Sequence, residues 1–282
     1  MKSSIHGSNQ VLYASDMICV SVLVPTLNYG HFISDNLASI AEQIDNKRYN
    51  IQVLIQDGNS KDNTSEIVMD YAKKFPDLNI SFDSGSDGSQ AEALNIALKR
   101  SKGDFLMWLN ADEILLPGAI AKLVSIFDRC GETVLAYGNL SHKNLRSNSL
   151  KNQYRPWFAK FHTRNGMLGV TTCCMMVSSK VFANFRFDSK LRGTLDLDFF
   201  SFLAKQPGKW KHINSLIAVN KIHPAQITYR GENNFKEELN FLTLKHGVFW
   251  GDVKVISKIL YKLDCLVSML SHKFNYAFVV DK

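Results

Sequence analysis

FLMWLNADEILLPGA, Phe105–Ala119, begins with five apolar or aromatic residues, runs straight into Asn-Ala-Asp-Glu and then meets a Pro-Gly pair. A continuous apolar run of this length reads as a strand buried on both faces. A core strand has no need of carboxylates at its tip, so Asp112 and Glu113 call for another explanation. They could cap the helix that begins near Pro117. They could also supply oxygen ligands to a hard divalent cation, Mn2+ or Mg2+, which commonly uses one or two carboxylates plus substrate phosphates. The cap would sit slightly too far upstream of Pro117, which favours the cation.

Outward from this stretch, strand and helix alternate four times in the first 130 residues. CVSVLVPTLN, IQVLIQDGNS, LNISFD and DFLMWLNADE read as strands, the last taken through to Glu113. HFISDNLASIAEQI has helical spacing at Phe32, Ile33, Leu37, Ile40 and Ile44. KDNTSEIVMDYAKKF is an amphipathic helix with Asp62 or Asn63 as its N-cap. QAEALNIALKRSKG is a helix closed by Gly103, and PGAIAKLVSIFDRC a helix with Pro117 near its first turn. This alternation predicts an α/β fold with a doubly wound, mostly parallel sheet flanked by helices. Ligands of such sheets lie beyond the carboxyl ends of the strands. The polar clusters fall there: Thr26–Asn28, Asp57–Ser60, Ser84–Gln90 and Asn110–Glu113. Further along, TVLAYGNL, VTTCCMMVSS and HINSLIAVNKIH read as strands. LDLDFFSFLAKQ and GENNFKEELNFLTLKHG read as helices.

Composition sets outer bounds. The chain has 282 residues, 45% of them hydrophobic and 21% charged, which is ordinary globular usage. The N-terminus lacks an apolar core of secretory length, and no stretch reaches the length of a membrane span. Five cysteines without a CxxC pair read as free thiols, so a reducing cytoplasm is expected. The net charge of +7 permits an anionic partner. The basic residues are dispersed and no RNA-binding or helix-turn-helix signature is present, so nucleic acid is not the expected one.

Four single residues carry a choice. Asp57 ends a buried strand, where it either accepts hydrogen bonds from a nucleoside or belongs to an Asp-Gly turn. Asp196 and Asp198 open a helix, where the dipole favours them. Asp196 could instead be placed as a general base. His223 ends a strand before Pro224, as a structural residue or as a contact to a diphosphate or its cation.

Taken in order, SVLVPTLNYGHFISDNLASIAEQ, IQDGNSKDNT, SGSDGSQAEALNIALKRSKGDFLMWLNADEILLPGAI, LDLDFF and IHPAQIT resemble the family 2 glycosyltransferases. The resemblance spans roughly residues 20 to 230 and is most specific from Ser84 to Ile120. It implies the GT-A fold over residues 1–230, a C-terminal helical extension over 231–282, and inverting transfer of a sugar from a nucleotide-diphosphate donor to a glycan or lipid-linked acceptor. Enzymes of this kind build bacterial surface polysaccharides such as O-antigen or capsule. The resemblance assigns Pro25, Thr26, Asn28 and Asp57 to nucleotide binding. Asp87, Gln90 and Asn95 then line the donor pocket, with Ala111 and His223 also on the donor. Asn110 and Asp112 take the outer positions of the family's DxD metal motif, with Glu113 as a helper. Asp196 becomes the base, with Asp198 the alternative if the helix register differs. Gln56 and Asn110 each stand where many members have an Asp, and Leu195 where a Glu precedes the base.

Two rivals differ from this reading. A nucleotidyltransferase should carry a Gly-rich phosphate loop containing Arg or Lys after the first strand, which PTLNYGH lacks. A catalytically inactive sugar-nucleotide or glycan-binding homologue would explain Asn110 and the missing Glu. In the tail, Val253, Ile256, Ile259, Leu260, Leu263, Leu266, Val267 and Leu270 share one helix face beside a ridge of Lys254, Lys258 and Lys262. That face either packs on the catalytic domain or lies on the inner face of an anionic membrane. Tyr154, Trp157 and Trp210 either stack on sugars or pack.

Overall fold

The computed structural model describes residues 17–45, 47–129, 131–226, 235–248 and 255–280. The N-terminal segment expected to lack a leader, Cys130, Val253, Lys254 and the last two residues of IHPAQIT lie outside the described residues.

In chain order the elements are β1 (Ile18–Thr26), α1 (Gly30–Ala41), β2 (Tyr49–Asp57), α2 (Thr64–Lys74), β3 (Ile80–Ser84), α3 (Gln90–Arg100), β4 (Phe105–Trp108), β5 (Glu113–Leu115), α4 (Ala119–Arg129), β6 (Thr133–Asn144), β7 (Ser149–Gln153), α5 (Ala159–Arg164), β8 (Met175–Ser178), α6 (Leu195–Lys205), β9 (Lys209–Ile222), α7 (Phe235–His246) and α8 (Val255–Val280). They build one sheet in the order 3-2-1-4-8-6-9-5, with β7 paired to β6. The expected doubly wound half is present: β3, β2, β1 and β4 are all parallel. Beyond β4 the sheet is mixed, with β8 antiparallel to β4 and β6, β9 parallel to β6, and β5 antiparallel to β9.

β1 shows why the sheet is buried on both sides. Val20, Val22 and Val24 point into the core shared with Ile33, Leu37 and Ile40 of α1. Leu23, one step out of phase, points into the opposite core with Leu94 of α3 and Phe199 of α6. Each such fully buried aliphatic side chain contributes about 1.5–3 kcal/mol. The β-branched run that looked like a central strand is therefore one, apolar on both faces except at the buried Ser21, whose Oγ donates to Gln52 Oε1 at 2.8 Å.

Several local expectations change. The fourth strand ends at Trp108, because Asn110–Glu113 forms a turn closed by Glu113 N–H donating to Asn110 O at 3.0 Å. Glu113 then opens the short strand β5. α3 ends at Arg100 rather than at Gly103. Gly103 instead passes so close to β1 that a Cβ there would lie 2.7 Å from Ser21 N and from Phe105 O. Pro117 precedes α4, which starts at Ala119. In VTTCCMMVSS, Thr172–Cys174 is a 3-10 turn and only Met175–Ser178 is strand. Of the two N-cap candidates, Asn63 holds the cap position of α2 without a side-chain cap bond. Asp62, just before it, accepts from Thr64 N at 3.1 Å through Oδ1 and from Gly30 N at 2.9 Å through Oδ2, which ties α2 to the start of α1.

α8 corrects the packing half of the tail reading. Its inward side carries Tyr261, Asp264, Ser268 and His272, and its aliphatic side faces out.

Candidate active site

Four parallel strands end on the same edge, and the loops after them meet there. β1 and β4 flank the point where the strand order reverses, which is where a doubly wound sheet leaves its crevice. Pro25 and Thr26 close β1. The Thr26 Oγ1 is buried and has no hydrogen-bond partner among the described residues. Asn28 adopts φ 56° and braces the loop: its N–H donates to Ser60 Oγ at 2.7 Å and its Oδ1 accepts from Lys61 N at 2.8 Å. Asn tolerates this left-handed backbone better than most residues.

Asp57, only 1% exposed, anchors the next two loops. Its Oδ2 accepts from Ser60 N at 2.9 Å and from Ser84 Oγ at 2.6 Å, and Ser60 Oγ donates to Oδ1. Asp87 lies over Gly58, where an added Cβ would meet its Oδ1 at 3.2 Å. Burial first, then the charges of Asp57 and Glu92, raise the Asp87 carboxyl above its ordinary range. Ser60 and Ser84 were not anticipated as partners of Asp57; both sit in the stretches that carried the resemblance.

The DxD-like turn sorts its residues into different jobs. Asn110 Oδ1 accepts from Gln90 Nε2 at 2.8 Å and from Trp108 Nε1 at 2.9 Å. Both lone pairs are engaged, so this oxygen does not fit the ligand role. Ala111 is part of the core. Asp112 Oδ2 accepts from Gln226 Nε2 at 2.9 Å and lies 3.0 Å from His223 Nε2, while its Oδ1 makes no hydrogen bond among the described residues. An open carboxylate oxygen beside an imidazole suits a divalent cation. No group of three or more His, Cys, Asp or Glu able to hold a metal occurs among the described residues, so substrate oxygens would have to complete the shell. His223 is held against this turn because β9 pairs with β5 and its ring packs on Phe32, centroid to centroid 4.4 Å. Gln226, three residues past His223 in the same motif, was overlooked.

Glu113 turns inward. It is 4% exposed and its Oε2 accepts from Asn110 N at 2.7 Å. Burial first, then the charge of Asp112, push its carboxyl up to about 8 from 4.5. With its side chain buried and its Oε2 taken by Asn110 N, Glu113 braces the turn from within. The folded protein keeps a proton here that the unfolded chain releases. Stability from this group is therefore whole below about pH 4.5 and is lost as pH rises to about 8, at about 1.4 kcal/mol per pH unit. Glu113→Gln is expected to flatten that decline. Urea unfolding of both proteins at about pH 5 and about pH 8 checks it. Equal pH slopes would mean that Glu113 is ionised in the fold.

Asn95 has both ends of its side-chain amide engaged by the fold. Its Nδ2 donates to Phe187 O at 2.8 Å and its Oδ1 accepts from Phe187 N at 3.0 Å, which fastens the chain leading to α6 onto α3. Arg192 Nη1 donates to Gly88 O at 2.9 Å, so the segment leading into α6, where Asp196 sits in the first turn, abuts the loop after β3. Asp196 is partly exposed, and its Oδ1 accepts from Leu197 N at 2.8 Å. Its surroundings, poor in water, raise its carboxyl above the ordinary range. Asp198, two residues on, is 0% exposed and accepts from Lys245 Nζ at 2.9 Å and His246 Nε2 at 2.6 Å. Burial alone would raise it; the bonds from His246 and Lys245 outweigh burial and hold it below the ordinary range. Asp198 thus fastens α7, and only Asp196 keeps the accessibility a base needs. The same helix α7 steadies the approach to Asp196. Glu238 accepts from Arg192 N at 2.8 Å, Gly193 N at 3.1 Å and Thr194 Oγ1 at 2.7 Å. Nothing in the sequence distinguished Glu238 from an ordinary first-turn acid.

The three aromatics divide. Trp210 is core, Tyr154 packs against His272 of α8 at 5.3 Å, and Trp157 remains 43% exposed beside His212.

Comparison with known proteins fits this geometry. An uncharacterised glycosyltransferase of Rickettsia typhi is 24% identical over 233 residues, covering 77% of this chain and 68% of the relative. The crystal structure of residues 1–349 of TarS from S. aureus, in complex with UDP-GlcNAc, superposes with a TM-score of 0.64 at 15% identity, covering 81% of this chain and 66% of that one. A Pyrobaculum calidifontis mannosyltransferase in complex with GDP-Man and Mn2+ superposes with a TM-score of 0.57 at 16% identity, covering 93% of this chain and 75% of that one. The chain therefore spans about two thirds of the Rickettsia protein and of the TarS fragment. The GT-A fold expected from the motifs is the fold these structures share with it. The family model described as glycosyl transferase family 2 matches residues 21–186, more than half of the sequence and the loops that follow β1 to β4, and the chain belongs to that family.

Proposed function

We propose that this protein is an inverting glycosyltransferase that moves a sugar from a nucleotide-diphosphate donor to a hydroxyl of a glycan or lipid-linked acceptor, during surface-polysaccharide assembly on the cytoplasmic side of the membrane. One observation carries the reading. The Asp112–His223 pair, with an open Asp112 oxygen, sits on the strand-end edge whose loops abut the segment leading into α6, the helix that opens with Asp196. TarS, solved with UDP-GlcNAc, and the mannosyltransferase, solved with GDP-Man and Mn2+, support the donor class.

The roles follow from the positions. Thr26, Asp57 and Asp87 form the nucleoside side of the pocket. Asp112, with His223 beside it, would hold Mn2+ or Mg2+, which supplies Lewis-acid neutralisation of the diphosphate's charge. Asp196 takes the proton of the acceptor hydroxyl as that oxygen attacks the anomeric carbon opposite the diphosphate. Glu238 and Asn95 fix the segment leading into the helix from which Asp196 acts, because positioning supplies much of the rate. Calorimetry with UDP-, GDP- and dTDP-sugars, each with Mn2+ and with EDTA, tests the reading. One nucleotide class is expected to bind in a metal-dependent way, and Asp112→Ala to weaken that binding at least about tenfold. Absence of binding by every donor under both conditions would overturn the donor site.

A further inference from the structure

α8 is mounted with its polar side inward. Asp264 accepts from Trp157 N at 3.1 Å and Phe158 N at 3.0 Å and pairs with His162 at 3.0 Å. Tyr261 Oη donates to Leu168 O at 3.1 Å, and His272 Nδ1 lies 3.1 Å from Asn214 O. On the opposite side Ile256, Ile259, Leu263, Leu266, Val267 and Leu270 are each between 43% and 70% exposed. A helix that completed the core would present these two stripes the other way round. A contiguous apolar face held outward by a hydrogen-bonded polar face is a contact surface.

We infer that this outer face of α8, together with the aromatics of the α5 turn, docks on an anionic lipid bilayer. Lys258, Lys262 and Lys273 are exposed and run along one edge of the apolar stripe. Phe158, 70% exposed, and Phe161, 52% exposed, stand beside α8 because Asp264 binds the turn that carries them. Lys160, Arg164, Lys209 and Lys211 line the groove next to those two rings. An apolar face with a cationic edge and neighbouring aromatic rings is the pattern of a helix that lies in the headgroup plane. No helix among the described residues is long and apolar enough to cross a membrane, so α8 lies on the surface. A second copy of the chain suits the lysines less well. The one acid on α8, Asp264, is engaged inward, whereas lipid phosphates offer the missing anions.

The same contact is tied to the catalytic domain. Asp264 of α8 holds the turn before α5, and Arg164 of α5 donates to Ala204 O of α6, the helix whose first turn carries Asp196. A docked enzyme would meet a lipid-linked acceptor on the side of the domain that carries α5 and α6. That last step rests on the transferase reading; the docking itself does not.

Co-sedimentation of the full chain tests the docking, with vesicles of phosphatidylcholine mixed with phosphatidylglycerol and with vesicles of phosphatidylcholine alone. The protein is expected to pellet with the anionic vesicles and to be released by salt. Ile259→Glu combined with Leu263→Glu should lower binding at least about tenfold. Lys258→Glu combined with Lys262→Glu should lower it about fivefold per lysine and weaken the salt dependence. All four side chains point away from the domain, so the melting temperatures should match that of the wild type. Wild-type protein left in the supernatant with anionic vesicles would overturn the proposal. So would concentration-dependent self-association without pelleting, abolished by the Ile259 and Leu263 pair, which would assign the face to a second copy.

Discussion

Asp196→Asn is expected to lower the transfer rate roughly 10²–10⁴-fold, the usual contribution of a positioned general base, with donor affinity unchanged. Asn preserves the size of the side chain and keeps an oxygen for the hydrogen bond from Leu197 N, so the helix start should not move. What it loses is the capacity to take a proton. The surroundings that raise the Asp196 carboxyl make it a stronger base than a solvated Asp. The acid limb of the rate profile should accordingly lie above the range of an ordinary carboxylate. Release of nucleoside diphosphate, followed across pH with the donor identified by calorimetry, measures both effects. A variant that retains rate within a few-fold, with the same pH profile, would remove Asp196 from the chemistry.

The neighbouring carboxylate should behave in the opposite way. Asp198→Ala is expected to cost about 3–5 kcal/mol of stability, because it strips the buried His246 and the half-buried Lys245 of their counter-charge. For a chain of this size that is a fall in Tm of roughly 10 °C, read by thermal unfolding. Asp198→Asn keeps the volume and should show a smaller loss of the same sign. The pH dependence follows from the direction of the shift. A carboxylate held below its ordinary range stabilises the fold above that range, and the contribution is lost as pH falls through it. If Asp198→Asn left Tm unchanged and abolished transfer while Asp196→Asn did not, the two roles would be exchanged.

The contrast between these two aspartates shows where reading residues in order stops. Both open α6, both have acidic first-turn character, and two positions separate them. On a helix that spacing turns one side chain about 200° from the other. One therefore remains accessible near the approach loop while the other is buried against α7. The partners that decide the matter, Lys245 and His246, lie 47 and 48 residues away. The same holds at the turn after β4. Asn110, Asp112 and Glu113 are neighbours in sequence, yet Gln90 and Trp108 occupy the first, His223 and Gln226 flank the second, and the core takes the third.

The sequence by itself determined the parallel half of the sheet, the edge on which its polar loops gather and the family. Those properties are written in local periodicity: apolar runs of strand length, helical spacing between them, and polar residues where each strand stops. The tertiary structure decided which of the gathered groups remain open to a ligand and which are consumed by the fold. It also decided that α8 turns its polar side inward. Amphipathic spacing states only that a helix has two faces. Which face meets the domain depends on what the domain presents, and here it presents the backbone N–H groups of Trp157 and Phe158 and the carbonyls of Leu168 and Asn214, which only polar side chains can satisfy.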